Sequence, residues 1–534
     1  MTDLVQLARK SQNYVLQNPD RRLGWVPHFS GRILSGPPCY AHEDWDACDV
    51  GWRMVEAGEV IRRMTGDSMT KEEECLRKMV FSTLAPDGLS YRRLEAWCPH
   101  EAWMWDQGRA LLALNTLMER EDAPHLVRIT EEMLRALERI AIPYQKRGLY
   151  YPMENWMGNG WGASILAHPP TGLQIEGAVL FAERTGQECA LQFARRVAYT
   201  VLNRSPLLLN ENGGFVHMGG GDFPATHFTH LHSRLFISLG LARLASVTGD
   251  TALFALTRRA LDYVLSLSTS YGWVPERSER KGSEAVDELC CIMDVIKLAL
   301  FFAERGETDL YDLVERFVAN QVTAHQINDY DRVADRLDLS PPPADTRSCT
   351  YQGVLDRFLG GFTGSLTPEY SIRVLDDMPF LDVSGCCGPS GIMCLYLAWE
   401  AAIEEQGDRA TVWMHFSRDG DLILVESLVS GGGHLRITAK RELKSLRVRI
   451  HPWADRSLVC ATAENARLPI RYEGNLAVLD RVLPHVPVSI RYPSPARRSV
   501  ERVAERVVPV DWNGNEVVGI PPQAGLPALY PFPR

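Results

Sequence analysis

The tetrapeptide Val247-Thr248-Gly249-Asp250 closes an apolar helical pattern that covers Leu231–Val247. A glycine just past a helix end suits a left-handed cap, and the acidic residue after it can begin the next helix. This helix-end pattern recurs at intervals of roughly 55 to 65 residues, which is typical of a helical array or a closed ring. Its other occurrences are Met64-Thr65-Gly66-Asp67, Arg184-Thr185-Gly186-Gln187 and Glu304-Arg305-Gly306-Glu307.

Apolar residues recur at three- and four-residue steps through most of the first 405 residues, which predicts amphipathic or buried helices. The clearest segments are Val50–Met64, Ala102–Met118, Ile175–Ala182 and Ala252–Leu267. About six two-helix units closed into one ring would form an (α/α)6 barrel. We therefore predict a catalytic domain of this kind over residues 1–410.

After about residue 410 the apolar residues recur at every second position, as in a β-strand. Leu422–Val429 is a nearly continuous apolar strand, whereas Leu446–Ile450 and Val486–Ile490 alternate. Gly431–Gly433 predicts a turn between strands. The chain is thus predicted to be mainly α, with a β-sandwich over residues 411–534.

Composition limits the classes of function. The 534 residues are 45% hydrophobic and carry a net charge of -10, which fits a globular protein and argues against a nucleic-acid partner. No apolar run reaches about 18 residues, so no membrane span is predicted. The first residues lack a signal-peptide pattern, and the 12 cysteines show no framework spacing, which predicts reduced thiols in the cytoplasm. The sequence leaves a homo-oligomer open.

Two pairs of adjacent cysteines stand about a hundred residues apart, in Glu288-Leu289-Cys290-Cys291 and Ser384-Gly385-Cys386-Cys387-Gly388-Pro389-Ser390. The glycines and proline of the second segment allow a turn sharp enough for both thiols to face one ion. Three thiolates and a carboxylate would make a four-coordinate zinc site. The alternative is a set of buried structural cysteines, because neither pair has the two-residue gap of common zinc motifs.

The pattern Glu-x-Cys at 288–290, followed by Cys-Cys-x-Pro-Ser at 386–390, resembles the zinc site of glycoside hydrolase family 127. That family contains non-reducing-end β-L-arabinofuranosidases. The resemblance implies that Glu288, Cys290, Cys386 and Cys387 bind zinc, and that Cys386 is the nucleophile. It also implies a small carbohydrate substrate.

The resemblance extends to Gly272-Trp273-Val274-Pro275-Glu276-Arg277, where the family carries its general acid/base. It implies this role for Glu276. The segment from Glu276 to Glu288 is shorter than is usual in the family, so Glu279 and Glu284 are kept as alternatives.

The resemblance further implies four residues that bind sugar hydroxyls. His230 stands ten residues before Gly240, as the family histidine does, and His100 and Glu315 match a His-Glu and a Glu-Arg-x-x-x-Asn segment. Gln174 occupies the place of another family histidine. Because an amide cannot become a cation, this departure predicts that the sugar, or its ring substituents, differs from L-arabinofuranose. Aromatic faces for the ring are predicted at Trp103, Trp156 and Trp161.

Together these features predict a retaining exo-glycosidase. Zinc would lower the pKa of the Cys386 thiol, and Glu276 would transfer protons to and from the reacting oxygens. Two alternatives stay open: a sugar lyase or epimerase on an α/α toroid, and a non-catalytic protein with a structural zinc site.

Overall fold

The computed structural model describes residues 2–34, 36–120, 123–163, 171–204, 230–375, 378–464, 466–523 and 526–528. Helices dominate the first four hundred residues. They are α1 (Leu4–Gln17), α2 (Gly51–Thr65), α3 (Lys71–Phe81), α4 (Met104–Met118), α5 (Pro124–Ile140), α6 (Thr171–Thr185), α7 (Glu188–Arg204), α8 (Leu231–Thr248), α9 (Thr251–Ser266), α10 (Leu289–Ala303), α11 (Leu310–Phe317), α12 (Thr323–His325), α13 (Val354–Phe358) and α14 (Cys387–Ala401).

Short strands accompany the helices, and longer strands form most of the remaining chain. In the helical part they are β1 (Ser30–Arg32), β2 (Cys39–Ala41), β3 (Ala102–Trp103), β4 (Ile142–Tyr144), β5 (Gly148–Tyr150), β6 (Asn155–Trp156), β7 (Cys349–Thr350), β8 (Arg373–Leu375), β9 (Met378–Phe380) and β10 (Asp382–Ser384). After α14 they are β11 (Ile403–Gln406), β12 (Arg409–Val412), β13 (Arg418–Asp419), β14 (Ile423–Ser427), β15 (His434–Ala439), β16 (Leu443–Arg449), β17 (Cys460–Ala463), β18 (Ala466–Leu468), β19 (Arg471–Glu473), β20 (Leu476–Val482), β21 (Val488–Arg491), β22 (Ala496–Val503), β23 (Arg506–Asn513) and β24 (Glu516–Gly519).

Six helices contact one another in a closed cycle, which runs α2, α4, α6, α8, α10, α14 and back to α2. The intervening helices pack outside this ring: α3 on α2, α5 on α4, α7 on α6, α9 on α8, α11 on α10, and α1 on both α14 and α2. The prediction of a long helical region is confirmed.

Residue patterning explains which helices lie inside the ring. Helix α5 buries one stripe, whose members recur at steps of three and four: Leu126, Thr130, Met133, Leu137 and Ile140. Helix α8, in contrast, buries nearly every residue from Leu231 to Ala245. A helix that is buried on all sides belongs in the interior, and one with a single apolar stripe belongs at the surface.

The recurring glycines cap helices as the sequence predicts. Gly66 and Gly249 adopt φ values of 75° and 72°, which favour glycine over residues with a Cβ. The Asp250 side chain then accepts a hydrogen bond from the Leu253 amide and caps α9. The tripeptide Thr248-Gly249-Asp250 therefore ends α8 and begins α9.

The chain after α14 is rich in β-structure, as predicted. One sheet has the strand order β11-β12-β16-β20-β19 and a second has the order β13-β14-β15-β21-β17-β18. Apolar residues of the two sheets, such as Leu446 and Ile437, belong to one buried cluster. A third sheet, β22-β23-β24, places Trp512 in a buried cluster with Tyr271 and Trp273 of the helical region.

Three of the ring helices begin close to one another. His230, Glu288 and Cys386 are the residues immediately before α8, α10 and α14. Helix N-termini carry partial positive charge and free amide groups, so this end favours anionic groups.

Within the ranges described, no helix is long and apolar enough to cross a membrane. All 12 cysteines lie in those ranges, and each is a free thiol.

Candidate metal centre

Three cysteines and one glutamate meet where α10 and α14 begin. Cys386 Sγ lies 3.6 Å from Cys387 Sγ, and Cys387 Sγ lies 3.6 Å from Cys290 Sγ. One carboxylate oxygen of Glu288 and the three sulfur atoms all lie within 4.8 Å of one another. The structure therefore brings together the four residues that the resemblance implies as zinc ligands.

The donor set and its spacing suit zinc. With zinc–sulfur bonds of about 2.3 Å, sulfur atoms at the corners of a tetrahedron stand about 3.8 Å apart. The observed spacing of 3.6 Å is close to that value. Soft thiolate ligands, with one carboxylate, are the donors expected of a closed zinc shell.

Cys386 is the most accessible sulfur of the four-residue cluster. Its side chain is half-buried, whereas Cys290 and Cys387 are exposed by 0% and 2%. Hydrogen bonds from Cys290 and Cys387 hold the pKa of the Cys386 thiol well below its ordinary value, and Arg53 and Ser384 contribute in the same direction. Cys386 also directly precedes α14, and the partial positive charge of this helix N-terminus stabilises a negative charge on the sulfur.

Glu288 connects the cysteines to His230. His230 Nε2 lies 2.6 Å from Glu288 Oε2, and His230 Nδ1 lies 3.1 Å from Ser233 Oγ. Burial opposes ionisation of Glu288, but the charge and hydrogen bond of His230 lower its pKa to about 2. Cys291 is buried and is not part of the sulfur cluster. Its Sγ lies 3.4 Å from Glu288 Oε2.

The segment around Glu276 lies beside His230. The Leu231 amide donates to the Glu276 carbonyl at 2.9 Å, and His230 and Arg277 form an isolated antiparallel β-bridge. The Glu276 carboxylate accepts from Arg277 and Arg280, and its charge helps to raise the pKa of His230 against the effect of burial.

Glu279 and Glu284, the alternatives to Glu276, are exposed. Of the three glutamates, Glu276 is the one whose charge acts on His230, the partner of Glu288.

Other predicted sugar contacts lie around the start of α4. His100 is exposed, and its Nδ1 donates to the Arg92 carbonyl at 2.8 Å; α4 itself begins at Met104, four residues later than His100. Gln174 is fully buried on α6 and donates to the Met104 carbonyl at 3.1 Å. Its Oε1 atom has no hydrogen-bond partner in the described part of the chain.

The three predicted tryptophans are close in the fold. Strand β3 pairs with β6, so Trp103 stands opposite Asn155 in the register, and the rings of Trp156 and Trp161 are 5.2 Å apart. Trp103 is buried under the guanidinium of Arg92, which lies 4.0 Å from the centre of its ring.

The structure places Glu315 at the contact between α11 and the β-rich region. On α11 it is buried against the β-rich region, where it accepts from Arg449, from His451 Nε2 at 2.7 Å and from the His415 amide at 3.0 Å. Within the described part of the chain, its hydrogen bonds and ion pairs join it to the β-rich region and not to the four-residue cluster. They favour an ion-pair role between the helical and β-rich regions.

Sequence reasoning missed the polar residues behind the cluster. Arg53, from α2, donates to Ser390 Oγ at 3.3 Å, and Ser390 Oγ lies 3.4 Å from Cys290 Sγ. Asp49 accepts from both Arg53 and Trp105 at 2.9 Å. The only sequence signal was an arginine inside the apolar run Val50–Met64, and this does not show what the arginine contacts.

The comparison with known proteins found matches among solved structures. No protein-family model and no curated protein sequence matches the chain. A GH127 β-arabinofuranosidase superposes with a TM-score of 0.59 at 13% identity, covering 96% of this chain and 81% of the other.

The fold is similar to that of GH127 β-arabinofuranosidases. A β-L-arabinofuranosidase of the same family from Geobacillus stearothermophilus T6 gives a TM-score of 0.57 at 14% identity, covering 96% of this chain and 80% of that one. A structure described as a glycoside hydrolase gives 0.55 at 12% identity, with coverage of 94% and 84%.

Proposed function

We propose that this chain is a retaining exo-glycoside hydrolase with a cysteine nucleophile, acting on a terminal sugar of the β-L-arabinofuranoside type. The closed ring of helices would be an (α/α)6 barrel that carries the site, and the sheets from about residue 411 a β-sandwich that supports it. The likeness to GH127 β-arabinofuranosidases over 96% of the chain supports this reading.

The observation that carries the proposal is the convergence of Glu288, Cys290, Cys386 and Cys387 at one end of the helical ring. Two of the cysteines are buried, and the third, Cys386, is partly exposed at a helix N-terminus. A purely structural zinc site gains nothing from leaving one cysteine partly exposed, whereas a nucleophile must be reached by substrate.

Glu288, Cys290, Cys386 and Cys387 would hold zinc, which when bound keeps the Cys386 sulfur deprotonated and fixed in position. Arg53 and Ser384 already favour the same ionised form. His230, held by Glu288, lies beside the Glu276 segment. This neighbourhood supports the proposal of attack by sulfur with proton transfer by a carboxyl group.

In the first step Cys386 Sγ would attack the anomeric carbon while the glycosidic C–O bond breaks. Glu276 would give its proton to the leaving oxygen, leaving a thioglycosyl bond to Cys386 and a Glu276 carboxylate. In the second step Glu276 would take a proton from water. The water oxygen would attack the anomeric carbon, and the C–S bond would return its electron pair to Cys386.

His100, Gln174 and His230 would bind sugar hydroxyls, and Trp156 and Trp161 would offer aromatic faces to the ring. For Gln174 the support is an Oε1 atom that is buried and lacks a partner among the described residues. A substrate hydroxyl would satisfy it. We assign no sugar contact to Glu315, whose buried ion pairs occupy both carboxylate oxygens.

Turnover of a panel of nitrophenyl furanosides and pyranosides tests the proposal. The wild-type protein should release nitrophenol from at least one of them, and Cys386→Ser should reduce kcat/KM by at least about 1,000-fold. Cys394→Ser, a buried cysteine on the same helix, is the matched control and should remain active.

Product analysis separates the alternatives. Hydrolysis adds the elements of water, whereas an epimerase conserves mass and a lyase leaves an unsaturated sugar. Absence of turnover on the whole panel by a folded, zinc-loaded protein would favour the non-catalytic alternative.

A further inference from the structure

Every second residue from Asp382 to Cys386 is partly exposed. Asp382, Ser384 and Cys386 share this intermediate exposure, whereas Leu381 and Val383, at the alternate positions, are buried. Asp382 and Ser384 belong to β10, and alternate side chains of a strand point to the same face of its sheet. Ser384 Oγ lies 3.2 Å from Cys386 Sγ, so this face leads to the sulfur.

A glycine on a neighbouring segment locates the Asp382 carboxylate more closely. A Cβ at Gly364 would lie 3.1 Å from Asp382 Oδ2 and 3.4 Å from Ser384 Cβ, so both atoms are within van der Waals reach of one point. The Gly364 carbonyl also accepts a hydrogen bond from the Leu289 amide, at 3.3 Å, at the start of α10. Asp382 therefore lies beside the segment that connects β10 to the other half of the cysteine cluster.

The Asp382 carboxylate has unused capacity to accept hydrogen bonds. In the described part of the chain no side chain forms an ion pair or a hydrogen bond with it, and its partners are the amides of Gly364 and of Asp382 itself. Burial raises the pKa of Asp382, Arg373 lowers it, and the charge of Cys386 raises it again, which agrees with a position near the sulfur. An ionised carboxylate offers about four lone-pair sites, so sites remain for a ligand.

A sulfur nucleophile leaves a place for such an acceptor. When a carboxylate is the nucleophile of a retaining glycosidase, one oxygen attacks and the second is free to accept a hydrogen bond from the sugar. Sulfur is a single atom and a weak acceptor, so Cys386 cannot fill both roles. Hydrogen bonds to the 2-hydroxyl, on the carbon next to the anomeric carbon, strengthen in the transition state of glycoside hydrolysis.

We propose that Asp382 accepts a hydrogen bond from the 2-hydroxyl of the terminal sugar while Cys386 attacks the adjacent anomeric carbon. This inference rests on the proposed glycosidase function and narrows its substrate class to sugars with a free 2-hydroxyl. The hydrogen bond is charge-assisted, because the acceptor is ionised. A site built to bind a hydroxyl discriminates strongly against the analogue that lacks it, so Asp382 is a specificity-determining residue.

A pair of substrates tests the proposal. The nitrophenyl glycoside that the wild-type protein hydrolyses best is compared with its 2-deoxy analogue, in the wild type and in Asp382→Asn. The variant should lose about 10- to 100-fold in kcat/KM on the parent glycoside and no more than about 3-fold on the analogue, because only the parent has the hydroxyl. Asp382→Ser gives the same comparison if the asparagine variant does not fold. Equal losses on the two substrates would overturn the proposal.

The matched control is Asp421→Asn. Asp421 is an exposed aspartate between β13 and β14. This variant should hydrolyse both substrates at the wild-type rates, which shows that the loss in Asp382→Asn depends on the position of the carboxylate.

Alkylation of Cys386 tests the position of Asp382 without any turnover. Iodoacetamide is neutral and iodoacetate is an anion of similar size, and peptide mass spectrometry gives the rate at which each labels Cys386. A carboxylate beside the sulfur repels the anion, so the ratio of the iodoacetamide rate to the iodoacetate rate should fall at least about 3-fold in Asp382→Asn. An unchanged ratio would contradict the placement of Asp382 beside Cys386.

The two experiments separate this inference from the function on which it rests. Turnover by the wild type with equal losses on the two substrates would keep the glycosidase and overturn the role of Asp382. A changed alkylation ratio in a protein that hydrolyses no glycoside would overturn the proposed function and, with it, the assignment of a sugar hydroxyl to Asp382.

Discussion

At the scale of single residues, the surroundings of Cys386 decide what its sulfur can do. Cys387 Sγ lies 3.6 Å away, Ser384 Oγ lies 3.2 Å away, and the charge of Arg53 also favours the thiolate. Each of these groups stabilises negative charge on sulfur, and none of them blocks it. These neighbours fit the proposed role of Cys386 as a nucleophile better than that of an inert buried cysteine.

Ser384→Ala should slow the reaction without unfolding the protein. The hydroxyl donates to the charged sulfur, and a hydrogen bond to a charged group is worth about 1.5 to 3 kcal/mol. We expect kcat/KM to fall about 10- to 100-fold, with little change in melting temperature. Ser445→Ala, whose buried Oγ has no partner among the described residues, should leave kcat/KM unchanged. Equal rates for wild type and Ser384→Ala would remove Ser384 from the site.

At the scale of elements, Glu315 ties helix α11 to strand β16 and its neighbours. It pairs with Arg449, the last residue of β16, and with His451 just beyond it. Asp312, one turn earlier on α11, accepts from Arg449 at 2.9 Å. Two carboxylates of one helix thus hold one arginine of the β-rich region in a buried network.

Glu315→Gln should cost stability rather than substrate affinity. Breaking a buried ion pair by neutralising one partner costs about 3 to 5 kcal/mol of the free energy of unfolding. Denaturant unfolding should show this loss, whereas KM should not change. A raised KM with unchanged stability would instead support the sugar-binding role that the sequence predicts for Glu315.

The same residue predicts a pH dependence of stability. Burial raises the pKa of Glu315, but the charges of His451 and Arg449 hold it well below its ordinary value. A lowered folded-state pKa stabilises the protein above the ordinary carboxyl pKa of about 4.3, and that stabilisation is lost as the pH falls below it. Glu315→Gln should flatten this part of the stability profile. A profile parallel to that of the wild type would contradict the assignment.

At the scale of the whole molecule, the helical and β-rich regions share a buried surface. Trp512 of β23 is 1% exposed, its Nε1 donates to Ser499 Oγ, and its ring lies 6.5 Å from that of Tyr271. Tyr271 and Trp273 precede Glu276 in the chain. The β-rich region therefore supports the segment that carries the proposed acid/base.

Trp512→Ala should destabilise the molecule as one unit. Removing a buried tryptophan costs about 3 to 5 kcal/mol. Because the surface is shared, thermal unfolding should show one transition at a lower temperature. Val500→Ala, exposed on β22, should change stability by no more than about 0.5 kcal/mol. A split into two transitions in Trp512→Ala would mean that the regions unfold independently.

Much of this arrangement could be predicted from local patterns. Gly249 and Asp250 mark helix ends by their own conformational preferences, and the change of period near residue 410 marks the β-rich region. The Glu-x-Cys and Cys-Cys segments predicted the cluster through their resemblance to the zinc site of glycoside hydrolase family 127. Arg53 could not be assigned in this way. Its partner Ser390 is 337 residues away in the chain, and a contact of that kind leaves no periodic signal.

The central claim is that Cys386 is the nucleophile and Glu276 the acid/base, and one measurement tests it most directly. Glu276→Gln should still attack the dinitrophenyl glycoside of the sugar that the nitrophenyl panel identifies, because this leaving group needs little protonation. It should then accumulate the thioglycosyl form, because the variant cannot deprotonate water. Intact-mass analysis should show one added sugar, on a peptide that contains Cys386. A label on a carboxylate, or none in a variant that loses activated and unactivated substrates equally, would contradict the account.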